Sequence, residues 1–81
     1  MSHSTLERII KIVSEATKDP EISLNSTQEN TVGWDSLAYL VIAQELEDVF
    51  GFQISAKNIH QVASVRGIMD LVDTFKGDSR V

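Results

Sequence analysis

Apolar residues return along this chain with the beat of a helix rather than the alternation of a strand. Leu6, Ile9, Ile10, Val13 and Ala16 fall on one stripe of about 120°, with Glu7, Arg8, Lys11 and Glu15 opposite or beside it. Ser4 and Glu7 match the capping-box spacing. Asp19, before Pro20, is biased away from helical geometry. The pattern predicts a first helix over residues 5–17.

The clearest element runs from Ser36 to Phe50. Asp35 is suited to cap it, because a carboxylate there accepts from backbone N–H groups one turn in that have no helical partner. Gly51, which can take the left-handed conformation, is suited to end it. A helical wheel puts Tyr39, Ile42, Ala43, Leu46, Val49 and Phe50 on the core side and Gln44 and Asp48 near the opposite pole. Leu37, Leu40 and Val41 are left on the polar side, crowded around the serine at the first turn. Such a cluster beside a usable hydroxyl predicts a contact patch.

Residues 18–34 are rich in turn formers, and a loop this long in a small domain is functional or pinned by its own side chains. Ile22, Leu24, Val32 and Trp34 are the expected pins, and Ser26 with Glu29 suggests one helical turn inside the loop. Phe52-Gln53-Ile54 alternates but has no second strand to pair with, so it reads as an extended connector. Ser55 is placed to cap a short helix over 56–61, with Ile59 and Val62 inward. Ser64 is placed to cap a last helix in which Val65, Ile68, Met69, Val72 and Phe75 share a face, with Gly77 as its stop and residues 78–81 fraying. The expected fold is all-α: a small four-helix bundle of three main helices and one short one, with a long loop after the first. It fills one domain over residues 1–81, with its core within 4–76, and reads as free-standing.

Composition narrows the function. A net charge of −5 argues against nucleic-acid binding and favours partners with basic docking surfaces. The absence of cysteine removes disulfides and thiolate metal sites, so any thiol chemistry must come from an added group. The N-terminus does not resemble a signal peptide, and the apolar runs are too short to span a membrane, which makes the cytoplasm the expected compartment. A serine hydrolase would need a base, and the only histidines are His3 and His60. Nothing supplies an orienting third group or an oxyanion hole. Trp34 is expected to anchor the long loop, and Glu45, Glu47 and Asp48 form an acidic helix face that is solvated when free and available to Arg or Lys of a docked partner.

Asp35-Ser36-Leu37 at the start of the second helix, the acids Glu47 and Asp48, and the ending Val49-Phe50-Gly51-Phe52-Gln53-Ile54 resemble the acyl carrier protein family. The resemblance extends over residues 4–76 in helix order as well as motif. It implies that Ser36 carries a covalent 4′-phosphopantetheine arm on which acyl or aminoacyl groups ride as thioesters, and that Asp35 helps present the serine to the modifying enzyme. It implies a carrier without catalytic machinery of its own, without a metal site, and monomeric. The implied partners are a phosphopantetheinyl transferase, an acyl-loading ligase or transferase, and a ketosynthase or other acyl-processing enzyme, met through Leu37, Leu40, Val41, Glu45, Glu47 and Asp48. An acyl pocket is expected between the second helix and the short helix, lined by Tyr39, Leu46, Ile54, Ile59 and Val62.

The chain also departs from carriers of fatty-acid synthesis. Val41 stands where they commonly have glutamate, Ala38 where they often have aspartate, and the short helix carries Lys57 and His60 where theirs is acidic. A docking surface more apolar and mixed in sign points to a specialised carrier. The alternative reading is an unmodified helical adaptor that binds a partner through Leu37, Leu40 and Val41.

Overall fold

The computed structural model describes the backbone of residues 2–79 and the side chains of residues 5–75. Three α-helices, α1 (Ser2–Thr17), α2 (Ser36–Phe50) and α3 (Val65–Ser79), are joined by the long loop and by a connector containing one 3-10 segment, Ile59–Ala63. Helix α1 packs on both α2 and α3, while the 3-10 segment packs on α3 and bridges to α2. Among the described residues the only β pairing is an isolated bridge between Thr27 and Ser64. The all-α expectation holds.

The core is assembled from every element. Ile9 and Val13 of α1, Ile42 and Leu46 of α2, Val62 of the 3-10 segment and Val65, Ile68, Leu71 and Val72 of α3 are fully buried or nearly so, and Trp34 joins them from the loop. Phe52 stacks between Phe50 and Phe75 at centroid distances of 6.2 Å and 4.5 Å, which ties the connector to the ends of α2 and α3.

Several boundaries differ from the sequence pattern. Helix α1 begins at Ser2, so Ser4 stands inside it rather than capping it; nothing in the preceding residues breaks a helix, and Thr5 is already buried. The short helix is a 3-10 turn shifted to residues 59–63, and Ser55 contributes its carbonyl, which accepts from the N–H groups of Asn58 and Ile59. Burial of Val62 sets its phase, and the tighter geometry suits so brief a segment. Helix α3 runs through Gly77 to Ser79. One glycine costs an established helix only about 1 kcal/mol and needs a positive φ to stop it. Ser64 does cap α3, its Oγ accepting from the Gly67 N–H at 2.9 Å. Fraying was expected over residues 78–81, but Asp78 and Ser79 belong to α3, and Arg80 and Val81 lie outside the described residues.

The long loop is held by hydrogen bonds as well as by apolar side chains. Gln28 N–H donates to the Ala63 carbonyl and Val65 N–H to the Ser26 carbonyl, fastening the loop to the start of α3. The reciprocal side-chain box sits on Thr27 and Asn30, one residue beyond the Ser26 and Glu29 pairing, and closes a turn rather than a helical turn. Ile22 and Trp34 are buried and Leu24 half-buried, as expected, but Val32 is fully exposed. The Thr31 carbonyl accepts from the Trp34 N–H, and this turn buries its two end residues while its corner, Val32, faces solvent.

Gly33 explains how the loop delivers the chain to α2. A Cβ there would lie 2.1 Å from the carbonyl oxygen of Thr17, so only glycine allows the loop to pass against the end of α1. Gly33→Ala is expected to cost about 1–3 kcal/mol, because the obstacle is backbone rather than a flexible side chain. A lower urea midpoint with an unchanged m-value is the expected reading, and an unchanged midpoint would show that the loop has room to retreat.

Candidate functional site

The candidate site is the open N-terminal end of α2. Asp35 has extended backbone dihedrals, φ −92° and ψ −172°, and its Oδ1 accepts from the Ala38 N–H at 2.9 Å while its carbonyl accepts from Tyr39 N–H. The cap expected from sequence is therefore formed, as is the stop at Gly51, whose φ of 75° is left-handed and whose N–H donates to the Glu47 carbonyl. Asp35→Ala is expected to cost about 1 kcal/mol, read as a fall in the thermal midpoint with α2 retained in the folded state.

Ser36 follows the cap directly and is exposed. Its hydroxyl sits where first-turn N–H groups lack intrahelical acceptors, so an anion attached there gains about 0.3–1 kcal/mol from the helix dipole. Asp35 opposes that gain by charge, and its position as the cap fixes the helix start that Ser36 directly follows. An open hollow adjoins the serine, lined by Gln28, Ser36, Tyr39 and Leu40. A group attached to Ser36 therefore meets space rather than packed side chains, so the residues present fit a bulky covalent arm. Among the described residues no cluster of His, Cys, Asp and Glu is arranged to hold a metal, and no helix is long and apolar enough to cross a membrane.

Leu37 is 71%, Leu40 62% and Val41 42% exposed, so the patch predicted around the serine is on the surface. Two hollows flank its helix: Leu37 and Val41 border one with Lys18, Gly33 and Asp35, and Leu40 and Val41 border another with Gln44 and Glu45. Ala38 is buried and belongs to the core line Ala38, Ile42, Leu46, which corrects its assignment to the docking surface. Val49, placed on the core side by the wheel, is 43% exposed and borders a groove with Arg8, Lys11 and Glu15 of α1. A wheel weights residues by hydrophobicity. Packing against α1 and the loop instead turned the small Ala38 inward and Val49 out.

Glu45 and Asp48 are exposed. Glu47 is half-buried, and its Oε2 accepts from the Ile54 N–H at 2.8 Å, so part of this carboxylate holds the connector in place. Lys57 and His60 are exposed.

The residues expected to line an acyl pocket lie in one packed cluster. Leu46 and Val62 are fully buried, while Tyr39, Ile54 and Ile59 are half-buried against the core. The Tyr39 hydroxyl donates to the Ile59 carbonyl, joining α2 to the 3-10 segment. Burial pushes the Tyr39 phenol above its usual range. Gln28 and Gly33 were missed as contributors to the site. A glycine directly before Trp34-Asp35-Ser36 was the available signal for close backbone approach, whereas nothing local marked Gln28.

The profile of the phosphopantetheine attachment site family matches residues 7–72. An acyl carrier protein of Coprothermobacter proteolyticus is 30% identical over 57 residues, which cover 70% of this chain and 70% of that protein. The chain therefore belongs to the acyl carrier protein family, whose members bear a covalent 4′-phosphopantetheine. It is a carrier, and the chemistry on its cargo belongs to other proteins.

Proposed function

We propose that Ser36 is the attachment point of the phosphopantetheine arm and that this single domain, residues 1–81, carries acyl or aminoacyl groups on the arm's terminal thiol as thioesters in the cytoplasm. The observation that carries the reading is the exposed Ser36 hydroxyl at the capped N-terminus of α2, beside an open hollow and inside the family's matched span. Asp35 fixes the serine's presentation. When bound, the arm supplies the thiol that this cysteine-free chain lacks.

Leu37, Leu40 and Val41, with Glu45 and Asp48, serve as the docking face for a phosphopantetheinyl transferase and then for loading and acyl-processing enzymes. Its apolar character supports a specialised carrier, whose docking depends less on ionic strength than that of a strongly acidic one. Tyr39 borders both the hollow at Ser36 and the cluster of Leu46, Ile54, Ile59 and Val62. A cargo chain entering that cluster would part α2 from the 3-10 segment at the Tyr39 to Ile59 hydrogen bond.

Incubation with coenzyme A, Mg²⁺ and a broad-specificity phosphopantetheinyl transferase tests the attachment. The expected result is a gain of about 340 Da that fragmentation mass spectrometry locates on Ser36. No gain, or a gain on another residue, would overturn the assignment.

A further inference from the structure

Val32 is 102% exposed, as open to solvent as it would be in an isolated segment of chain. Its neighbours leave it little freedom to fold back. Thr31 is 6% and Trp34 2% exposed, the Trp34 N–H donates to the Thr31 carbonyl at 3.0 Å, and Gly33 is wedged against the carbonyl of Thr17. Thr31 Oγ1 also donates to Asn30 Oδ1, and Asn30 is locked to Thr27 by their reciprocal bonds. The result is a branched apolar side chain held outward on an anchored turn, with its ordering entropy already spent in the free protein.

We propose that Val32 is a docking residue for the phosphopantetheinyl transferase, extending the contact face from α2 onto the loop; this rests on the reading that Ser36 is the modified residue. The occupant follows from reach. Partners that act on the finished arm meet its distal thiol, whereas the transferase must take the Ser36 hydroxyl itself into its active site. Four residues of chain span at most about 14 Å, and the turn at Thr31 to Trp34 shortens the path from Val32 to Ser36. A standard interface covers about 800 Å² per partner, a disc of about 16 Å radius if centred on Ser36. Val32 therefore lies no farther from Ser36 than the radius of such an interface, within reach of an enzyme that engulfs the serine. An apolar side chain fully desolvated there contributes without the salt dependence of an acid.

Steady-state modification kinetics of Val32→Ala, Val32→Asp and Val32→Ile, with coenzyme A, Mg²⁺ and a broad-specificity transferase, test the proposal. Val32→Ala is expected to raise KM for the carrier about fivefold and Val32→Asp tenfold or more, with kcat little changed and Val32→Ile close to wild type. Thermal midpoints should stay within about 2 °C of wild type, since the side chain supports nothing in the free protein. Unchanged KM in both the Ala and Asp variants, with Ser36 modified normally, would overturn the role of Val32 alone. Failure of the wild-type protein to be modified on Ser36 would overturn the attachment reading and this proposal together.

Discussion

Ser36→Ala is expected to abolish the gain of about 340 Da completely while leaving the fold untouched. The separation is clean because the serine and the cap are different residues. Asp35 makes the capping bond to Ala38 N–H, and Ser36 occupies an exposed helical position where alanine is at least as favourable. The stability change should stay within about 0.5 kcal/mol, so loss of modification would report on the hydroxyl and not on the bundle. A gain that survives the substitution would mean that another side chain carries the arm. Asp35→Ala is the informative companion: it damages the helix start but keeps the nucleophile, so it should slow modification rather than prevent it.

Trp34→Ala is expected to give the largest loss of stability, about 3–5 kcal/mol. At 81 residues the whole domain has roughly 4–12 kcal/mol to lose, so this one change takes about a quarter of it or more. Trp34 is 2% exposed, and it also anchors the turn that carries Val32 and leads into Asp35. The thermal midpoint should fall by more than about 10 °C. Its indole Nε1 is buried without a hydrogen-bond partner among the described residues, and such a donor costs about 1–3 kcal/mol to bury. Trp34→Phe removes that donor along with some volume, so it should retain most of the stability. If Phe proved as harmful as Ala, the indole N–H would have a partner, such as a bound water, and this account of the tryptophan would fail.

The contrast between Trp34 and Val32 shows how far sequence alone reaches. Both are large apolar residues in one loop, and both were natural candidates to pin it. One is buried and the other is wholly in solvent. Local pattern could not separate them, because the choice depends on a turn closed by the Thr31 carbonyl and on Gly33 meeting the end of α1. Glu47 is similar: its spacing says acidic face, but only the returning connector brings the Ile54 N–H to its carboxylate.

What the sequence determined by itself were the features whose causes are local. The α2 start at Asp35, its stop at Gly51, the cap at Ser64 and the exposure of Leu37, Leu40 and Val41 around Ser36 each follow from a side chain acting on backbone within one turn, or from helical periodicity. Tertiary structure decided the rotation of α2 that buries Ala38 and exposes Val49, the phase of the 3-10 segment set by Val62, and the outward turn at Val32. Those outcomes were settled by close packing between elements distant in the chain. Fitting side-chain volumes together outweighs the hydrophobicity of any one position, and no window of neighbouring residues contains that information.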